Sequence, residues 1–203
     1  MPRTGARGGP QTRAKISEVA TRLFLERGFD AVTVAEVARE AGVSSVTVFK
    51  HFPRKEDLLL DREADAADLL RSAVSDRAPD VDVLTSLRDA ALRLVDERHA
   101  LSGVKDGSIP FFRTVAASPA LVARLREIAA ELQDTLAGEL ERDPAFGGDA
   151  TLLAALLIAG YATVIVETAR RLTAGEPPDA VADDHRARLE RLFAALRNGV
   201  PIG

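Results

Sequence analysis

Three histidines, His51, His99 and His185, are the only imidazoles in 203 residues, and they lie far apart in the chain. Asp183, Asp184 and His185 put metal-capable types on consecutive positions, but consecutive residues of a helix point in different directions and do not converge on one ion. An acidic cluster near a helix N-terminus, where the macrodipole is positive, accounts for them better. The chain has no cysteine, which excludes disulfides, zinc–thiolate sites and a cysteine nucleophile and points to a reducing compartment. Gly5, Gly8 and Gly9 precede a helix but follow no strand, so a dinucleotide site lacks its frame. No nucleophile elbow, phosphate loop or paired-histidine zinc motif occurs. The sequence predicts no catalytic residue, no metal site and no cofactor.

Contact with a polyanion is the chemistry the residues favour. The net charge is −4, yet residues 1–55 hold ten Lys or Arg against five Asp or Glu, a local +5. The rest, with 17 basic and 26 acidic residues, carries −9. A basic first quarter on an acidic remainder suits a local contact with a polyanion such as nucleic acid. At 46% apolar and 29% charged residues, the composition is that of a soluble globular protein rather than a disordered one. Residues 1–10 lack the apolar core of a secretory leader, so a cytoplasmic location is expected.

The elements that must position this contact read as helices. Ile16, Val19, Ala20, Leu23 and Phe24 follow one helical face, and Gly28 is placed to end it. Thr33 is a suitable N-cap for a second helix with Val37, Ala38 and Ala41 inward, broken at Gly42. Ser44 caps a third helix running to about Phe52, stopped by Pro53. Two short helices around a glycine turn, inside a three-helix unit, form the arrangement that lays its last helix in the DNA major groove.

Beyond Pro53, prolines at 79, 110, 119, 144, 177 and 178 fit helix boundaries. The segments between them, near 55–78, 83–99, 108–117, 121–142, 151–173 and 182–197, predict an all-α protein of about nine helices. Residues 1–11 are expected as a flexible arm, 12–58 as the helix-turn-helix domain and 59–203 as a helical ligand-binding and dimerisation domain. Loops are expected at 145–149 and 174–181.

The run 150–166 holds 14 apolar residues in 17, too short for a membrane span of about 20. A helix apolar all round is one covered on both sides, so no membrane contact is expected. A homodimer is, built from the last two helices as a four-helix bundle. Leu156 and Val164 of one, and Leu189, Leu192, Phe193 and Leu196 of the other, are the expected interface. Such a pair presents two recognition helices to a near-palindromic duplex, about 34–36 Å apart.

The run AVTVAEVAREAGVSSVTVFKHFPRKEDLL, from Ala31 to Leu59, resembles the DNA-binding signature of the TetR family of bacterial transcriptional regulators. Thr33, Val37, Ala38, Ala41, Gly42, Val43, Ser44, Thr47, Phe49, Phe52, Lys55 and Leu58 occupy the places of that pattern. The resemblance implies a repressor that binds double-stranded DNA at a near-palindromic operator. Thr47, His51 and Lys55 then match phosphate-contacting positions, with Thr33 and Ser44 at helix starts beside the backbone. Ser45, Val46 and Lys50 match positions facing base edges. Lys50 is suited to guanine O6 and N7, and Val46 to a thymine methyl. Phe49 stands where the pattern usually has tyrosine, and Arg54 where a small capping residue is usual.

Residues 111–140, beginning FFRTVAASPALVARLREIAAEL, are similar to the C-terminal domain of TetR relatives that take acyl-CoA-like ligands. An apolar cavity is expected with Leu87, Leu94, Phe111, Phe112, Val115, Leu125 and Ile158 as walls. Arg98, His99, Arg113 and the Tyr161 hydroxyl would orient the small-molecule inducer. The alternative is a DNA-binding dimer without a small-molecule ligand.

Overall fold

The structure, a computed structural model, describes residues 8–199. Among them are nine α-helices and no strand: α1 Gly8–Arg27, α2 Val34–Ala41, α3 Ser45–His51, α4 Glu63–Ser75, α5 Val83–Asp96, α6 Ser108–Ala117, α7 Pro119–Arg142, α8 Ala150–Thr173 and α9 Pro178–Asn198. Single 3-10 turns stand at Glu56–Leu58 and Ala100–Ser102. Residues 8–11, expected in a flexible arm, form the first turn of α1, while 1–7 of that arm lie outside the described residues. The expected loop 174–181 is shorter than its composition suggested. Pro178 occupies the start of α9, where its missing N–H costs nothing and its fixed φ favours the helix.

The chain divides into two compact units. Among the described residues the first joins 8–61 with 113–125, and the second joins 62–112 with 126–199. In the first unit Ile16, Ala20, Leu23 and Phe24 of α1 are buried together with Val37, Ala38, Ala41, Val48 and Phe52. The rings of Phe24 and Phe29 lie 4.9 Å apart, so few bulky groups fill a small interior. The 113–125 segment is fastened by two polar contacts. Ser118 Oγ donates to Asp30 Oδ1 at 3.1 Å, and Arg124 Nε donates to Asp57 Oδ1 at 2.9 Å.

The core of the second unit is drawn from α4, α5, α7, α8 and α9, with Leu87, Leu136, Leu140, Ala154, Leu157 and Leu189 among its members. α8 and α9 approach closely at Gly160, where a Cβ would come within 2.4 Å of a Leu192 methyl. Asp149 caps α8 through Leu152 N–H at 2.9 Å. By length and composition α8, at 24 residues, is apolar enough to cross a membrane. Its inner side instead joins the core through Ala154, Leu157 and Val164.

Candidate nucleic-acid interface

Local hydrogen bonds fix α2 and α3 before any long-range packing is considered. Thr33 caps α2 in a reciprocal box: its Oγ1 accepts from Glu36 N–H at 3.2 Å, and Glu36 Oε2 accepts from Thr33 N–H at 2.8 Å. The backbone bond from Thr33 is the main reason the Glu36 carboxyl is held below its usual range. Gly42 takes φ 69°, a left-handed conformation that glycine adopts without a Cβ penalty. It turns the chain sharply into Ser44, whose Oγ accepts from Thr47 N–H at 3.1 Å to cap α3. Val48 and Phe52 are buried and anchor the inner side of α3.

The opposite side of α3 faces solvent. Val46 is 79% exposed and Phe49 50%, and Lys50 is exposed beside them. Ser45, Thr47 and His51 are half-buried on its flanks. Ser44, Ser45, Val46, Thr47, Phe49, Lys50 and His51 therefore sit on one short element. Thr33 lies at the start of α2, its hydroxyl donating to Glu36 Oε2 at 2.8 Å.

Lys55 departs from the phosphate role its position implies. Its Nζ donates to the Phe29 carbonyl at 2.7 Å and stands 4.2 Å from the centre of the Phe29 ring. A cation held by a carbonyl and an aromatic face is a clamp on the interior. Arg13, on α1, is committed similarly: it donates to the His51 carbonyl at 2.9 Å and packs 4.2 Å over the Phe52 ring. Neither partner was legible from sequence, because each lies 26 or more positions away.

The residues expected to wall a ligand cavity are divided between separate clusters. Leu87 belongs to the larger core of the second unit, with Ile158 and Tyr161 packed against it. Phe112 forms a separate cluster with Leu172 and Val181, and Phe111 packs onto that cluster. Leu94 is buried in α5, and Val115 and Leu125 fall in the first unit. The polar groups have structural partners. Tyr161 Oη donates to the Leu101 carbonyl at 3.1 Å, and burial pushes its phenol up. His99 Nδ1 accepts from Leu101 N–H at 3.2 Å. Arg98, at φ 46°, pairs with Asp106 and Asp179 at 3.1 and 2.6 Å. A half-open groove of about 320 Å³ lies elsewhere, between α5 and α9, lined by Leu84, Phe193 and Ala194 with Arg88, Glu190 and Arg197.

The expected dimer stripe needs a similar correction. Val164, Leu189 and Phe193 are buried in their own unit's core, and Leu192 and Leu196 pack against it. The α9 stripe faces α8 of the same chain. Of the six residues only Leu156 is open to solvent, at 51%. It continues a surface row with Leu152, Ala159, Thr163 and Val166, all exposed and three or four positions apart.

His185 is almost fully buried and shares a 2.7 Å hydrogen bond between its Nδ1 and Thr168 Oγ1. Burial lowers its pKa to about 4. Asp184 turns away from it and pairs with Arg171 and Arg188 at 2.6 and 3.0 Å. The consecutive acidic and imidazole groups therefore do not form a common site.

Residues 16–61 match the model of the bacterial regulatory proteins of the tetR family. The chain is 37% identical over 90 residues to the HTH-type transcriptional regulator TtgR of Pseudomonas putida, covering 43% of this chain and 42% of that protein. The chain thus matches about two fifths of the length of that curated relative. Likeness to solved structures runs further. FadR of Thermus thermophilus, a repressor crystallised in complex with lauroyl-CoA, is 26% identical with a TM-score of 0.57, covering 94% of this chain and 96% of that one. The SmeT–triclosan complex is 18% identical with a TM-score of 0.63, covering 95% and 96%, and shows the shared fold.

Proposed function

We propose, from the premise that residues 16–61 belong to the tetR family of bacterial regulatory proteins, that this chain is a ligand-responsive transcriptional repressor. The observation that carries the reading is the solvent face of α3, where Val46, Phe49 and Lys50 stand exposed behind a capped glycine turn. α3 enters the major groove. Lys50 donates to base edges, and Thr47 and His51 contact phosphates that set the register. The protein acts in the cytoplasm as a homodimer on a near-palindromic operator.

The dimer forms through the outer row of α8, Leu152, Leu156, Ala159, Thr163 and Val166. No charged residue falls between Asp149 and Glu167, so a second copy can cover that row without stranding a charge. The effector is a small apolar or acyl-type molecule taken up by the second unit. Support comes from the lauroyl-CoA bound by the Thermus thermophilus repressor, which this chain matches over nearly its whole length. To release DNA it must bind the DNA-free geometry better, and a tenfold loss of operator affinity needs about 1.4 kcal/mol of that difference.

A second reading, a DNA-binding dimer without an effector, is favoured by the internal partners of Arg98, His99 and Tyr161. One experiment separates the two. Duplexes selected from a random pool by the full-length protein are titrated with lauroyl-CoA, and anisotropy follows their release. Release at micromolar ligand supports the repressor reading. If no apolar metabolite or acyl-CoA shifts binding, the effector-free dimer stands.

A further inference from the structure

We propose that Val46 and Phe49 form one apolar surface that reads thymine through its C5 methyl group. The inference rests on the assignment of α3 to the major groove and names what its apolar part recognises there. α3 has seven residues, and its position in the unit is fixed by buried Val48 and by Phe52 just beyond its end. Relative to Val48, helical geometry places Val46 and Lys50 at the summit of the opposite side, with Phe49 beside them. Val46 and Phe49 are three positions apart, so their side chains are neighbours. Both are exposed, and Phe49 is so in a unit that encloses its other phenylalanines, Phe24, Phe29 and Phe52.

The partner must bring apolar matter onto a surface that also carries a cation, because exposed Lys50 flanks the pair. The major groove offers this at one base alone, since thymine carries a methyl group there while the other groove-edge features are polar. Phe49 has no hydroxyl to give a phosphate, which leaves its exposed ring edge to van der Waals contact. Lys50, one turn after Val46, has an ammonium for an adjacent guanine, so the helix is built to read a thymine next to a guanine.

The test uses the full-length protein and duplexes it selects from a random pool. Each thymine is replaced in turn by deoxyuridine, which deletes the methyl and preserves every hydrogen-bonding group. The expected result is a loss of about fourfold per methyl at one or two positions in each half-site, the worth of one buried methyl. Val46→Ala should bind more weakly and lose that sensitivity, and 5-methylcytosine in place of cytosine at the position should recover part of the affinity. Val46→Thr, which keeps the shape and turns one methyl into a hydroxyl, should fall between them. Because Val46 is exposed, unchanged melting of the variants establishes that they are folded. Sequence-specific binding that stays within twofold for every deoxyuridine replacement overturns methyl reading and leaves the regulator intact. Selection that yields no preferred sequence overturns the DNA assignment itself.

Discussion

Among the described residues six large apolar side chains stand exposed, and five of them lie in two places: Val46 and Phe49 on α3, and Leu152, Leu156 and Val166 on α8. Their surroundings differ. α3 places Lys50 and His51 beside its apolar pair. α8 surrounds its row with alanine, threonine and glycine and has no charged residue from 150 to 166. An apolar pair beside a cation suits a partner that is anionic outside and apolar at isolated points, which is duplex DNA. A neutral row on a long helix suits a copy of itself, because a two-fold contact sets each patch against an identical one. Apolar exposure says that a surface has a partner, and neighbouring charge says what kind.

The largest expected effect comes from breaking α8. Leu156→Glu would place a carboxylate inside the proposed interface, where an unpaired charge costs several kcal/mol. Light scattering at micromolar concentration should then give a monomer, and affinity for a palindromic duplex should fall by roughly hundredfold or more. Val46→Glu on α3 should leave the dimer intact and remove DNA binding by repelling phosphates. A Leu156→Glu protein that remains dimeric would show that α8 is not the interface, and the comparison would lose one side.

The contact of the inner side of α8 with α9 supplies the next effect, where Thr168 of α8 bonds His185 of α9. His185 is neutral in the fold with a pKa near 4, against about 6.5 when unfolded. Below pH 6.5 the unfolded chain therefore binds the extra proton, and this contribution to stability is lost as pH falls from 6.5 toward 4. Between pH 7.5 and 5 the loss should be about 2 kcal/mol. His185→Gln retains a partner for Thr168 and should abolish that part of the pH dependence, as read by denaturant midpoints. An unchanged pH profile in the variant would mean that His185 is not held neutral by burial. The same helix would thus serve the monomer on one side and the dimer on the other.

At α3 the contrast is between two lysines, Lys50 on the helix and Lys55 four residues beyond its end. Lys50→Ala should lower affinity at one base pair by about 1–3 kcal/mol and spare the fold. Lys55→Ala removes a charged hydrogen bond to the Phe29 carbonyl and should lower stability by about 1.5–3 kcal/mol. The slope of log affinity against log salt should hardly move. A drop of about 0.9 in that slope for Lys55→Ala would restore it as a phosphate contact.

These lysines mark the limit of what the sequence reveals. Thr33, Gly42 and Ser44 were legible because caps and turns are decided within four residues, and their bonds match the reading in kind and position. All nine helices were visible from periodicity and proline placement. The clamp of Lys55 on Phe29 was not, because it depends on which chain segments meet. Periodicity also identified the stripe Leu189, Leu192, Phe193 and Leu196 without naming its partner. An apolar stripe looks the same whether it faces α8 of its own chain or of another. The exposed row from Leu152 to Val166 was hidden for the same reason, inside a helix apolar on every side. The walls expected for a ligand cavity meet a related ambiguity, since walls of a pocket and members of a core share the same residue types: Leu87 and Ile158 belong to one cluster and Phe112 to another.

The smallest effect compares the same device in both places. Ser44 caps α3 and Asp149 caps α8, each through a side-chain oxygen that accepts a backbone N–H at 3.1 or 2.9 Å. Replacing either by alanine should cost about 1 kcal/mol of stability. The consequences for function should differ, because helix length decides how far a frayed end reaches. α8 has 24 residues, and loss of its first turn leaves Leu156 and everything after it in place. α3 has seven, so one lost turn of about 3.6 residues is half the helix and includes Val46. Ser44→Ala should therefore weaken binding to a selected duplex several-fold more than to random DNA, since base reading suffers while backbone attraction remains. Asp149→Ala should match it in denaturation and leave both affinities alone. Equal affinities for Ser44→Ala and the unmodified protein would mean that α3 keeps its geometry without its cap, held by Val48 and Phe52 alone.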